Sequence, residues 1–200
     1  MKSKTLKRVL IAIPGLIILL IIARVAFVNF DQKKEFDYHS TIQKSIKLWS
    51  NDFESNGLIP TEYTGLGEEL SPSLYWDNLP SGTESLVITT VDYDGPSPSF
   101  KLMTIDHWVI FNISPTINHL DKAVTLEEME KQGMNLGLNI NGEVGYVGPN
   151  PPMGIHKYYF RIYALSVPSV DLDKPSRTDL MEKIKDNIIA YGELIGTYSK

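Results

Sequence analysis

The chain contains no cysteine. That excludes disulfides, thiolate metal sites, a cysteine nucleophile and a cysteine-linked lipid anchor. Basic residues are scarce beyond its start. Of 19 Lys and Arg, five (Lys2, Lys4, Lys7, Arg8 and Arg24) fall in residues 1–30, which hold no acid; residues 31–200 therefore carry 14 bases against 24 acids, a net charge of −10. A body that acidic has no electrostatic footprint for nucleic acid and is repelled from anionic surfaces, so any anion it binds is held in a local pocket. Also missing are the His-Glu-x-x-His spacing of a metalloprotease, the Gly-x-Ser-x-Gly of a hydrolase elbow, a phosphate loop and a dinucleotide fingerprint. There is no internal repeat and no low-complexity segment.

What the chain does have, first, is an apolar start. Four bases precede Val9–Ala23, Arg24 interrupts, and Val25–Val28 follow. Counted to Val28 this is about 20 residues, enough to cross a bilayer as a helix with Arg24 snorkelling to the far interface. The positive start predicts a cytoplasmic N-terminus and a translocated domain. A cleaved signal peptide competes, but Arg24 spoils the small-x-small site before Ala26, so an uncleaved single-pass anchor in the cell membrane is expected. The expected organisation is a basic start and anchor over 1–30, a stalk or short amphipathic helix over 31–52, and one domain over 53–200.

The domain reads as all-β. Ser85–Val91 is a β-branched run suited to a central strand, Asp106–Ile113 is another, and Tyr158–Leu165 a third. Short pieces at Leu58–Pro60, Tyr63–Thr64 and Ser73–Trp76 are also strand-like. Frequent Pro and Gly between short strands point to antiparallel pairing rather than βαβ units. Helices are expected at Leu126–Gln132 and Arg177–Tyr191, the latter capped by Ser176.

Chemistry-bearing residues gather where these strands meet loops. Asp92 and Asp94 follow the Ser85–Val91 strand and project to one face if the extended geometry persists. His107 opens the next strand. His156 stands between the proline-stiffened loop Gly148-Pro149-Asn150-Pro151-Pro152-Met153-Gly154 and a strand rich in aromatics. If those strand ends lie side by side, two acids and two imidazoles share one cleft. Such a cleft suits an anion, a metal or acid–base work.

In this order the motifs resemble the phosphatidylethanolamine-binding protein family, in its bacterial branch of Raf-kinase-inhibitor-like proteins. The likeness runs over roughly residues 53–199. It comprises Ser71-Pro72-Ser73-Leu74-Tyr75-Trp76, Asp92-Tyr93-Asp94-Gly95-Pro96, His107–Ile113, Gly145–Pro152, Gly154-Ile155-His156-Lys157-Tyr158 and Gly192–Tyr198. The resemblance implies two packed antiparallel sheets with short peripheral helices, a cis peptide at Gly95–Pro96, and a small anion pocket. By position, Asp92, Asp94, His107, Pro152, His156 and Tyr158 match its pocket residues. His107 and His156 would donate to a phosphate or phospholipid head group. Asp92 and Asp94 would orient donors or accept from a ligand amine, and Tyr158 and Pro151-Pro152 would shape the mouth.

No established catalytic activity, cofactor or metal comes with the resemblance, so a binding protein rather than an enzyme is expected. The alternative function is inhibition of a kinase or protease partner through surface loops such as 114–135. The chain departs from the family pattern at Tyr93, Gly95, Asn150, Lys157 and Asn187. These put the rim and selectivity in doubt, not the pocket.

Overall fold

The computed structural model describes residues 2–200, with side chains from Pro14 onward. Helix α1 spans Lys2–Thr41 and β1 spans Lys47–Trp49. Then come β2 (Leu74–Asp77), β3 (Ser85–Ser97), β4 (Phe100–Ile113), β5 (His119–Leu120), α2 (Leu126–Lys131), β6 (Asn135–Leu136), β7 (His156–Leu165), α3 (Arg177–Ile184) and β8 (Ile188–Tyr198). The strands form two antiparallel sheets: a small one in the order β1-β2-β5 and a large one in the order β6-β4-β3-β7-β8.

Strand alternation explains why β3 reads as a continuous apolar run. Leu86 and Ile88 point toward the small sheet and pack with Leu74, Trp76, Leu120, Trp108 and Phe160. Val87 points the other way, into a second cluster with Val109, Phe111, Tyr163, Leu180 and Ile184. The large sheet is thus covered on both faces. Complete burial of Leu86, Ile88 or Phe160 contributes roughly 1.5–3 kcal/mol each. The outer edge of β8 is occupied by two earlier pieces of chain. Ile46 N donates to Tyr191 O and Tyr191 N to Gln43 O; farther along, Ile59 N donates to Thr197 O and Thr197 N to Gly57 O.

Residues 31–41 differ most from expectation. Of the stalk and the short amphipathic helix expected there, they take the helix, but as the continuation of α1 docked on the large sheet. The buried or half-buried positions are Val25, Val28, Gln32, Glu35, Tyr38 and His39, one helical stripe. Gln32 Nε2 donates to Tyr93 O at 2.9 Å and His39 Nε2 meets the Tyr163 hydroxyl at 2.8 Å. Glu35 Oε1 accepts from Arg177 Nη1 at 2.7 Å, Arg161 Nη1 at 3.3 Å and the Tyr93 hydroxyl. Arg161 is also held by Glu193 at 2.8 Å, and Arg177 by Asp106. Residues 47–49 are likewise no linker but strand β1.

Three smaller differences follow from tertiary pairing. The helix expected over Arg177–Tyr191 ends at Ile184, because Ile188–Tyr198 pair along β7 and their β-branched residues fill that sheet. The segment Thr61–Tyr63 is a 3-10 turn, and Leu58 makes only a single bridge to Thr197. The Asp92–Pro96 segment belongs to β3, which runs on with bulges to a tight hairpin at Ser97–Phe100.

Candidate ligand-binding site

Adjacent ends of β3, β4 and β7 assemble the site. Asp92 lies opposite Ile105 of β4 on one side and Tyr158 of β7 on the other. The extended geometry puts Asp92 and Asp94 on one face of β3 and Tyr93 on the opposite face, against α1. The Gly95–Pro96 peptide is cis.

Asp92 is 1% exposed and both its oxygens are engaged. Oδ1 accepts from Asp94 N at 2.6 Å, and Oδ2 lies 2.7 Å from His156 Nδ1. The other ring nitrogen of His156 lies 3.2 Å from Met153 O. With both nitrogens facing protein acceptors, this fully buried ring braces Asp92 against the Pro151–Ile155 loop and offers the cavity no free polar atom. Asp94 does not line the cavity. Its Oδ2 accepts from Lys157 N at 3.1 Å and its Oδ1 pairs with Lys101 Nζ at 2.9 Å.

Among the described residues, two polar atoms at the cavity floor have no protein partner: His107 Nε2 and the Tyr158 hydroxyl. His107 Nδ1 faces the Val147 carbonyl at 2.6 Å and must donate to it, since a carbonyl only accepts. Val147 N returns a bond to His107 O at 2.9 Å, which fixes the loop. Burial lowers the His107 pKa below its ordinary value, so the neutral ring dominates near pH 7 and Nε2 carries a lone pair. Burial raises the Tyr158 phenol, which stays protonated and can donate. The two rings meet edge to face at 5.1 Å between centroids.

The cavity has a volume of about 320 Å³. Asp92, His107, Pro152, His156 and Tyr158 line it, as does Asn150, one of the departures from the family pattern, together with residues the sequence did not single out: Glu69, Ile105, Ile140 and Asn141. Glu69 has a left-handed backbone (φ 58°), and its Oε1 accepts from Gly148 N at 2.9 Å. Nothing in the local sequence marks it, since its role depends on a loop 79 residues away. Gly148 is where only glycine fits: a Cβ there would stand 2.7 Å from Thr64 C and 2.8 Å from Gly65 N.

Among the described residues no lysine or arginine lines this cavity. Its available chemistry is a phenol donor, an imidazole acceptor and nearby carboxylates. It suits a small group that offers oxygens to receive hydrogen bonds and hydrogens to give. Among the described residues no cluster of three His, Asp or Glu is placed to hold a metal ion.

Comparison with known proteins matches this fold. The family model described as phosphatidylethanolamine-binding protein matches residues 49–199. A UPF0098 protein of Methanothermobacter thermautotrophicus is 38% identical over 78% of this chain and 99% of its own length. One from Aquifex aeolicus is 36% identical over 78% and 89%. Among solved structures, a putative phosphatidylethanolamine-binding protein homologue of Chlamydia trachomatis superposes with a TM-score of 0.70 at 34% identity, covering 79% of this chain and 99% of that one. YbcL of E. coli, described as a new member of the mammalian family, gives 0.70 at 27% identity, covering 78% and 99%. The two-sheet fold, the ordered motifs and these matches agree: the chain belongs to the phosphatidylethanolamine-binding protein family.

Proposed function

We propose that this protein is a membrane-tethered binding protein, not an enzyme, that takes a small phosphoryl-bearing group into the cavity between β3, β4 and β7. The observation that carries this reading is the pair of buried, unpartnered polar atoms at its floor, His107 Nε2 and the Tyr158 hydroxyl. Native structures pair nearly all such atoms, so an orphaned pair in a cavity favours a ligand that completes them. A phosphoryl oxygen accepts from Tyr158. His107 Nε2, bearing a lone pair, accepts from a ligand O–H or ammonium, or takes up a proton as a phosphate enters. Glu69 supplies a carboxylate for a ligand amine. A phosphoethanolamine head group, the chemistry in the family's name, carries both kinds of partner. The floor is tight, with His107 4% and Tyr158 1% exposed, so only a small group reaches it.

The tether is supported by α1, whose Pro14–Thr41 stretch contains an 18-residue window of mean hydropathy 1.9 that is 6% buried. The bases at its start favour a cytoplasmic N-terminus and an extracytoplasmic domain.

Tyr158→Phe tests the ligand reading in the full chain in detergent, by calorimetric titration with O-phosphoethanolamine and with inorganic phosphate. Losing a hydrogen bond to a charged group, about 1.5–3 kcal/mol, weakens binding roughly 10- to 150-fold. Stability should stay level or rise, because the hydroxyl has no protein partner to lose. Unchanged affinity in Tyr158→Phe and in His107→Ala would refute the site.

A further inference from the structure

The direction of α1 across the sheet sets where the domain sits. His39 lies by Tyr163, Gln32 by Tyr93 and Thr104, and Arg24 Nε donates to Leu102 O at 2.8 Å. Followed back toward its start, the helix therefore runs toward the β3–β4 hairpin and leaves the domain beside it. Leu16–Ile22, immediately before, are all exposed, at 39–61%. If the apolar run ends near Arg24–Val28, the bilayer surface lies at about the level of Leu102, since the helix rises only about 1.5 Å per residue.

At that level the domain exposes large apolar side chains. Phe100 (40%) and Met103 (43%) sit on the hairpin. Met153 (56%) and Ile155 (64%) sit on the loop that braces the cavity. The two segments touch: a Cβ on Gly154 would lie 3.2 Å from Pro98 Cδ. Pro152 and His156, on either side of that loop, both line the cavity.

We propose that Phe100, Met103, Met153 and Ile155 form an apolar collar that rests in the head-group layer of the bilayer α1 spans, so that the cavity is supplied from that membrane. The occupant of this surface is the lipid interface itself. Continuity with the exposed apolar turns of α1 argues for it, and so does the rigid docking of the helix by Gln32, Glu35 and His39. A free stalk would leave the collar at no fixed depth. The collar's place in the head-group layer rests on α1 crossing the membrane and does not need the ligand reading; supply of the cavity from that membrane rests on both.

The absence of cysteine makes single-cysteine labelling unambiguous. The full chain would be reconstituted in phosphatidylcholine vesicles with a fluorophore on Phe100→Cys or Ile155→Cys. Met103→Cys and Met153→Cys serve as second variants should either fail to fold. Leu19→Cys marks the span. Ser81→Cys, before β3 at the opposite end of that strand, marks the distal side of the domain, roughly 40 Å away at about 3.3 Å per residue. Lipids spin-labelled near the head group are the quencher, with no ligand added. The collar sites should quench several-fold more than Ser81→Cys. Collar sites that match Ser81→Cys while deep-labelled lipids quench Leu19→Cys would overturn the collar and leave the span standing. If Leu19→Cys escapes quenching, span and collar fall together.

Discussion

Replacing Glu35 by Gln tests whether α1 is part of the domain. Glu35 lies among Arg161, Arg177 and the Tyr93 hydroxyl, and the two arginine side chains are 1% and 8% exposed. Amide substitution keeps the shape and removes the charge. Neither arginine is stranded, because Glu193 still holds Arg161 and Asp106 still holds Arg177. The loss is therefore smaller than the 3–5 kcal/mol typical of breaking an isolated buried pair. Two weakened charge-assisted bonds and a phenol with a poorer acceptor amount to about 2–3 kcal/mol. For a chain of this size each kcal/mol shifts Tm by about 2–4 °C, so a fall of roughly 4–12 °C is expected. The assay is thermal unfolding of the full chain in detergent, read by near-ultraviolet circular dichroism, with Glu54→Gln as an exposed control. A fall no larger than the control's would refute the docking of α1.

Acid should weaken the fold in part through His107. Its folded pKa is lowered, so below about pH 6.5, the ordinary value for histidine, the unfolded ring takes a proton that the folded ring refuses. The unfolded state then binds more protons, and stability falls as pH drops below that value while staying level above it. Denaturant unfolding at pH 7.5, 6.5 and 5.5 should show a shallower acid slope in His107→Gln; parallel slopes would contradict the assignment. Gly148→Ala forces a methyl against the Thr64–Gly65 backbone, and overpacking of this kind costs about 1–3 kcal/mol. A variant as stable as the parent in urea unfolding would mean the loop yields freely and does not fix the cavity wall.

The sequence carried the domain's fold because its signals are local. The β-branched run of β3, the Ser176 cap and the proline-stiffened loop each follow from neighbouring residues. The docking of α1 was illegible for a physical reason: its buried stripe is made of Gln32, Glu35 and His39, which satisfy buried partners rather than repel water, so apolar periodicity sees a polar stalk. The site was half legible. Asp92, His107, His156 and Tyr158 converge, but only coordinates show that His156 and Asp92 satisfy each other while His107 and Tyr158 are left open. Asp94 matches the motif, yet its carboxylate is consumed by Lys101 and the Lys157 amide. Glu69 reaches the cavity only through the fold.

The chain segments paired along β8 carry a consequence for self-association. A bare strand edge is a template for a second molecule, through its unpaired N–H and C=O groups. Here Gln43–Ile46 and Asn56–Ile59 occupy that edge before a neighbour can. The family match begins at residue 49. A chain started there would keep the second guard and lose the first, freeing the N–H and C=O of Tyr191. Such a shortened chain should form edge-paired dimers or aggregates in solution, whereas one started before Gln43 keeps the edge closed.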